Sequence, residues 1–392
     1  MQILVINSGS SSIKFQLFKM PAVEVVCSGM VERIGLENAV VHYKAGKIKL
    51  DDVETIQDHQ QGLAAIAKRI MDPDTGVIRS SSEIDAVGHR VVHGGSSFSE
   101  TTIITEEVKE IIRELSSLAP LHNPPNLEGI EVSEKIFPEA TQVAVFDTAF
   151  HQTIPVEAHK YAIPNELYED GIRVYGFHGT SHKYVSEKAN EYLGTGKSKI
   201  VTIHLGNGCS MTAVKNGKSV DHTLGFSPVS GLIMGTRSGD IDPAIVFHLV
   251  KSEGYSLDEV NELLQKKSGM LGLTGYSDLR EIEEKAVAGD EKCQEALVLN
   301  SYRIKKFIGA YAAIMNGLDS IVFTAGIGEN SENMRRLVCK NMDYLGIELD
   351  AELNSKREKG IREINISGAK TKVLIVPTDE EAEIAKQVFE CI

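Results

Sequence analysis

Residues 4–18 of the chain read LVINSGSSSIKFQLF, and the architecture turns on how that stretch folds. An apolar run, Leu4-Val5-Ile6, meets a loop of small residues, Asn7-Ser8-Gly9-Ser10-Ser11-Ser12. Beyond it Ile13, Phe15 and Leu17 alternate with Lys14 and Gln16. A period of two belongs to a strand and not to a helix, so the stretch predicts a β-hairpin. Glycine and serine at a hairpin tip read most simply as a flexible turn. Backbone N–H groups, hydroxyls and a lysine also suit a polyanion, so the same tip reads as a phosphate cradle.

A second copy of the pattern favours the cradle. Residues 199–220, KIVTIHLGNGCSMTAVKNGKSV, read as a strand, a glycine-rich loop, a second strand and a turn at Asn216-Gly217. Laid over the first hairpin at an offset of 197, Gly206 falls on Gly9, His204 on Asn7, and Ile200–Ile203 on Ile3–Ile6. One such unit near the start of each half predicts an internal duplication. Two hairpin loops are then expected to hold one phosphate chain from both sides of a cleft.

The composition sets the outer limits. At 392 residues the chain exceeds one ordinary core, so two domains are expected. A formal net charge of −14 argues against general nucleic-acid binding while leaving room for a local pocket for a small anion. The five cysteines (Cys27, Cys209, Cys293, Cys339, Cys391) lie far apart, which predicts reduced thiols in a cytoplasmic protein. The chain enters a strand directly, so no secretory leader is expected, and no apolar run reaches the ~18 residues of a membrane span.

Along the chain, strands are expected at Ile3–Ile6, Ile13–Phe18, Val23–Val31, Ala39–Tyr43 and Ile48–Leu50. Next come a helix over 60–71, a buried strand in IDAVGHRVVHGG (84–95), and an amphipathic helix over 105–118 capped by Thr105. The strand TQVAVFDTAFH (141–151) carries Asp147 at its far end. Strands followed by alternating helix and strand describe an α/β domain with a mixed sheet. In the second half, helices at 243–250, 256–267 and 291–317 precede a strand that opens into a small-residue turn, Gly326-Ile327-Gly328-Glu329-Asn330, against which a ligand can lie. The strand Val373–Val376 breaks at Pro377, and Thr378 is expected to cap a last helix rich in acids in its first turn.

Two apparent motifs fail. LGTGKSK (193–199) ends like a phosphate-binding P-loop, but Glu191 stands where the motif needs glycine, and the segment precedes a strand. The pairs His89/His93 and His178/His182 have zinc-like spacing, yet neither stretch reads as a helix or carries the companion glutamate. Arg90 in GHRVVHGG, Asp147 in VFDTAFH, His178 in YGFHGTSH and Arg237 in MGTRSGDID remain, each beside glycine, a strand end or apolar residues. Cations for equatorial oxygens, carboxylates for a metal and loops for donor phosphates are what phosphoryl transfer requires.

The chain resembles the acetokinase family, within the actin-like ATPase superfamily that includes sugar kinases and chaperone ATPases. VINSGSSSIKF, GHRVVHGG, LAPLHNPPN, VFDTAFH, YGFHGTSH, HLGNGCS, GLIMGTRSGDIDP, FTAGIGENS and PTDEEAEIA match family signatures, in family order, over essentially the whole length. The resemblance implies an α/β fold of two duplicated ribonuclease-H-like domains with a nucleotide cleft between them, spanning 1–149 plus 379–392 and 150–378. It implies a homodimer and reversible Mg²⁺-dependent transfer of the ATP γ-phosphoryl group to acetate, giving acetyl phosphate and ADP, with Mn²⁺ as a substitute metal. By motif position, Asn7, Ser10, Ser12 and Lys14 face phosphates or metal, and Glu380 is a magnesium-linked carboxylate. His204, Leu205, Gly206, Asn207 and Gly208 form the second phosphate loop. Asp278, Leu279, Arg280, Gly326, Ile327, Gly328, Glu329 and Asn330 frame the nucleotide. Arg90 and Arg237 correspond to substrate and transition-state arginines, His178 to a transition-state stabiliser, and Asp147 to a catalytic acid residue. Val92, Leu121, Phe177 and Pro228 match a methyl pocket with His122 beside it. The intact turn at Gly326–Gly328 favours ATP over pyrophosphate.

The chemistry refines these roles. Acetate is ionised at neutral pH, so no proton has to leave the nucleophile. Asp147 is therefore expected to position Mg²⁺ or orient Arg90, and not to act as an obligatory base. Arg90 is suited to the carboxylate, and Arg237 with His178 to the phosphoryl group in flight. Direct in-line transfer is expected; a phosphoenzyme through Glu380 is the minor alternative. A propionate or other short-chain acyl kinase on the same residues is the runner-up reading. A non-catalytic actin-like nucleotide switch is the reading from another class, and it has no need of three cations at the γ-phosphate.

Overall fold

The computed structural model describes residues 1–9, 11–120 and 122–392. The chain forms two compact units, Met1–Gln152 together with Asp379–Ile392, and Thr153–Thr378. Ser10 and Leu121, both expected in the site, lie outside the described residues.

The first unit is built on β1 (Gln2–Ser8), β2 (Ser12–Lys19), β3 (Glu24–Glu32), β4 (Leu36–Ala45), β5 (Ile48–Ile56), β6 (Ala86–Val91), β7 (Thr102–Ile103) and β8 (Thr141–Phe146), in the sheet order β5-β4-β3-β2-β1-β6-β8-β7. The opening hairpin forms as its alternation predicts, with Asn7 opposite Lys14 and Ser8 opposite Ile13. β1, β6 and β8 run parallel, so their carboxyl ends share one edge of the sheet. Asn7, Arg90 and Asp147 all sit at that edge, where open α/β sheets bind ligands. Leu4, Ile6, Phe15 and Leu17 face a core shared with the helix His59–Ile70. Ile3, Val5, Val143 and Val145 face the last helix, Glu380–Cys391. Each such fully buried side chain contributes about 1.5–3 kcal/mol. A Cβ at Gly88 would stand 2.7 Å from Val388 Cγ2, so only glycine lets that helix seat.

The cap of the last helix corrects the expectation from sequence. Asp379, not Thr378, is its N-cap, accepting from the Ala382 N–H at 3.0 Å. Aspartate satisfies a free helix donor well and complements the helix dipole. The Thr378 N–H donates instead to Glu329 Oε1 at 3.2 Å.

The second unit repeats the plan with β9 (Lys199–Leu205), β10 (Cys209–Lys215), β11 (Lys218–His222), β12 (Ser320–Thr324), β13 (Arg362–Glu363) and β14 (Lys372–Ile375), in the order β11-β10-β9-β12-β14-β13. In both units three antiparallel strands lead into two parallel ones. The two sheets have the same core topology, and the fold is the mixed α/β architecture expected. β9 covers the residues that the offset of 197 assigns to β1. The hairpins differ in one respect: His204 faces Ser210, where a strict repeat of Asn7 facing Lys14 would put Met211. The second loop is one residue tighter. No helix among the described residues is long and apolar enough to cross a membrane.

Candidate active site

In the first unit the site is an ion cluster at the strand ends. Arg90, near the end of β6, donates from Nε to Asp147 Oδ1 and Oδ2 (2.9 and 3.1 Å) and from Nη2 to Oδ2 (2.6 Å). Its Nη1 donates to Asn7 Oδ1 at 3.2 Å. Asp147 follows β8 directly, and its own N–H donates to the Val91 carbonyl, so the ladder holds its backbone. Its side chain is 1% exposed. Burial opposes the charge on Arg90, but the field of Asp147, followed by that of Glu380, outweighs it and raises the pKa. Glu380 itself is pushed up by burial and by its neighbours Asp147 and Glu381, against the pull of Arg90 and Lys14. Lys14 pairs with Glu381 at 2.7 Å. Ser12 lies at the start of β2, and its carbonyl accepts from the Gly9 N–H at 2.8 Å, closing the loop.

Val92 departs from the expected placement. β6 ends at Val91, the partner of Phe146, so strand alternation does not set the direction of Val92 relative to Arg90. Val92 lies in the bend that follows, 7% exposed, with its N–H held by Asn126 Oδ1 at 3.1 Å. His122 is the N-cap of the helix Asn123–Ile136.

In the second unit, His178 caps the helix Gly179–Leu193 with φ of 56°, a left-handed conformation uncommon outside glycine. The helix corrects the reading of FHGTSH as non-helical: His182 lies within its first turns, and the dipole adds positive potential beside His178. His178 Nδ1 is hydrogen-bonded to Ser210 Oγ at 2.8 Å, and Ser210 Oγ is also 2.7 Å from His182 Nε2. His204 stacks on His178 with centroids 4.5 Å apart and is hydrogen-bonded through Nδ1 to Ser181. A Cβ on Gly208 would lie 3.4 Å from His178 Cε1 and 3.8 Å from Arg237 Nη1, so the glycine loop, His178 and Arg237 converge. Arg237 Nη1 donates to the Pro228 carbonyl at 3.0 Å, and burial lowers its pKa. Phe177 is 1% exposed. Cys209 in the same loop is pushed up to about 12 by burial and donates to the Gly206 carbonyl, so its thiol is no nucleophile.

A cavity of about 1430 Å³ opens within this unit, lined among others by Gly206, Asn207, Asp278, Leu279, Arg280, Gly326, Ile327 and Asn330. His204, Leu205, Gly208, Gly328 and Glu329 do not line it. The segment expected as a glycine turn is a short helix, Ala325–Asn330, entered through Ala325 at φ of 63°. Glu329 is spent on the Thr378 N–H. The carbonyl of Gly328 accepts from Arg335, a fully buried arginine that also binds Asn354 twice. Asp278 caps the helix Leu279–Val287 and pairs with the exposed Arg280.

Ser210, Glu381, Asn126 and Arg335 were not singled out from sequence, and His182 was weighed only as half of a zinc-like pair. Hairpin register would have found Ser210, which faces His204; the others needed contacts between distant segments. Among the described residues no group of three or more His, Cys, Asp or Glu is arranged to hold a metal ion.

The chain is similar to known proteins along its whole length. The Acetokinase family model matches residues 2–386. The acetate kinase of Flavobacterium johnsoniae is 65% identical over 393 residues, covering 100% of both chains, and that of Thermotoga maritima is 52% identical, covering 100% of this chain and 99% of its own. Among solved structures, the Porphyromonas gingivalis acetate kinase has a TM-score of 0.94 at 45% identity, covering 99% of each chain. A propionate kinase from Francisella tularensis has a TM-score of 0.94 at 41% identity over 100% of both chains. With sequence agreement running end to end and the same fold seen in crystals, the chain belongs to the acetokinase family.

Proposed function

We propose that the protein transfers the γ-phosphoryl group of ATP to acetate, reversibly and in line, giving acetyl phosphate and ADP. The observation that carries this reading is the pair of cationic centres at the two glycine hairpins: Arg90 in one unit, and Arg237 with His178 in the other. A nucleotide switch has no use for them.

Arg90 has five N–H donors. Asp147 engages Nε–H and one Nη2–H, and Asn7 takes one Nη1–H, leaving one N–H on each terminal nitrogen for a carboxylate. With both oxygens bound to Arg90, Asp147 serves as an orienting anion, and the nucleophile already carries its charge. Arg237 and His178 spread the charge of the phosphoryl group in transit, and the cavity with its flanking helix Leu279–Val287 takes the nucleoside.

Glu380 and the Asn7 carboxamide oxygen are an all-oxygen donor set, as Mg²⁺ or Mn²⁺ prefers, and the acids crowded around Glu380 call for a further cation. When bound, the metal would neutralise phosphate charge. One carboxylate with substrate phosphates suffices for Mg²⁺, so a larger protein cluster is not needed.

The test traps acyl phosphate as hydroxamate with ATP and acetate, propionate or butyrate. Acetate should be best, with propionate at reduced kcat/KM and butyrate poorer, since one methylene is worth only about 1–3 kcal/mol in an apolar pocket. A higher kcat/KM for propionate would turn the reading to the propionate kinase that the 41% identical neighbour exemplifies. Nucleotide binding with no hydroxamate from any acid would turn it to the switch.

A cytoplasmic homodimer completes the proposal. The helix Ala244–Ser252 (AIVFHLVKS) has no buried residue, Phe247 is 62% exposed, and Leu257 just beyond is 69% exposed. An apolar helix with no buried residue calls for a second surface, and a second copy is our reading. Light scattering should give twice the chain mass, and the variant Phe247→Asp/Leu257→Asp should fall to one; a variant that keeps the doubled mass excludes this face.

A further inference from the structure

Asn123 and Asn126 of the segment LHNPPN take no part in the chemistry above, yet they are among the most buried polar groups of the first unit. Asn123 is 0% exposed and Asn126 3% exposed. Three residues apart on the helix Asn123–Ile136, they lie on neighbouring positions of one face. Asn123 makes two bonds to one residue, accepting from the His93 N–H and donating to the His93 carbonyl, both at 3.0 Å. Asn126 divides its carboxamide between two segments: Oδ1 accepts from the Val92 N–H at 3.1 Å, and Nδ2 donates to the Ser8 carbonyl at 2.7 Å.

Those segments are the arms of the site. Ser8 ends β1 and opens the loop Gly9–Ser12 of the first hairpin; Val92 follows Arg90 past the end of β6. The paired residues of β1 and β6 stop at Ile6 and His89, before either arm is reached. Beyond that point the side-chain amide stands in for a peptide group, offering one acceptor and one donor where the ladder has parted. A turn further along, Gly129 brings the helix onto Ser8, where a Cβ would stand 2.6 Å from Ser8 Oγ.

We propose that Asn126 is a positioning residue which ties the phosphate hairpin to the acid-binding arm, setting the reach between Arg90 and Val92 and the entry of the loop at Ser8. It touches no substrate itself. The proposal rests on the acetate-kinase reading and on Val92 as a wall of the acid pocket.

Five variants test it by kcat/KM for acetate and propionate, KM for ATP, and melting temperature. Asn126→Ala should lower kcat/KM for acetate roughly 10–100-fold, the size of effect a misplacement of about 1 Å brings. It should also shift the propionate-to-acetate ratio by about threefold or more. Asn123→Ala should lower the melting temperature comparably and leave that ratio alone, since it holds one arm only. Asn126→Asp keeps an acceptor for Val92 and loses the donor to Ser8, so it should raise KM for ATP more than it changes the acid ratio. Wild-type values of both the acid ratio and KM for ATP in folded Asn126→Ala overturn the proposal. Where that variant does not fold, Gly129→Ala decides: it should raise KM for ATP, and a wild-type value overturns the proposal. Val92→Ala separates the underlying reading, because an unchanged acid ratio there removes Val92 from the pocket whatever Asn126 does.

Discussion

Replacing Arg237 by alanine is expected to lower turnover by roughly 10³–10⁵, the range found for an arginine that stabilises a phosphoryl group in transit, while fold and nucleotide binding persist. Among the described residues no carboxylate pairs with Arg237; its bonds are to the Pro228 carbonyl at 3.0 Å and a long contact to Met234 Sδ. A partly buried guanidinium without an anion is a costly arrangement, and burial accordingly lowers its pKa, although arginine stays charged. An arriving phosphoryl group supplies the missing countercharge. Because no internal ion pair is lost, Arg237→Ala should melt within a few degrees of the wild type, and nucleotide affinity by calorimetry should hold. Arg237→Lys should recover little, since an ammonium cannot reproduce the planar fork. A folded Arg237→Ala enzyme within tenfold of wild-type turnover would contradict the assignment.

Arg90→Ala should behave differently, because Arg90 is an internal countercharge as well as a ligand. Truncation leaves Asp147 buried and unpaired beside Glu380, and breaking one side of a buried pair costs about 3–5 kcal/mol. Melting temperature should therefore fall clearly, and kcat/KM for acetate should drop by roughly 10²–10⁴, the equivalent of about 3–5 kcal/mol for a truncated charge contact. KM for ATP should change far less. The double variant Arg90→Ala/Asp147→Ala should regain part of the lost stability by removing the stranded charge, without regaining activity. Parallel losses for acetate and ATP, with no partial thermal recovery in the double variant, would place Arg90 outside the acid site.

Much of the fold was legible because it rests on local patterns. Alternation in residues 13–17 and the offset between Gly9 and Gly206 carry the two hairpins, and the structure matches β1 with β9 residue for residue. Acids after Pro377 announce the last helix, but the choice of Asp379 over Thr378 as cap was not legible. Both residues can cap, and the competing bond from Thr378 to Glu329 comes from 49 residues away. The helix at FHGTSH was missed because it opens on His178 at positive φ, a conformation that neighbouring sequence does not enforce. Val92, expected inside the strand of 84–95, lies one residue past the end of β6, where alternation no longer relates it to Arg90.

The candidate site divides along the same line. Sequence by itself determined the candidate residues: glycine hairpins, an arginine near a strand end, another in a glycine-flanked loop and an acid-rich helix start are each written within ten or so residues. It also determined the duplicated topology, since hydrophobic period and turn residues act locally. Tertiary structure alone decided the pairings. Arg90 meets Asp147 across 57 residues, Lys14 meets Glu381 from the far end of the chain, and Asn126 meets Ser8 across 118. Hydrogen bonds and ion pairs act over about 3 Å of space with no regard for separation along the chain. Only the packing of helices against sheets brings such groups within that distance, and with it decides which donors of Arg90 remain for a substrate.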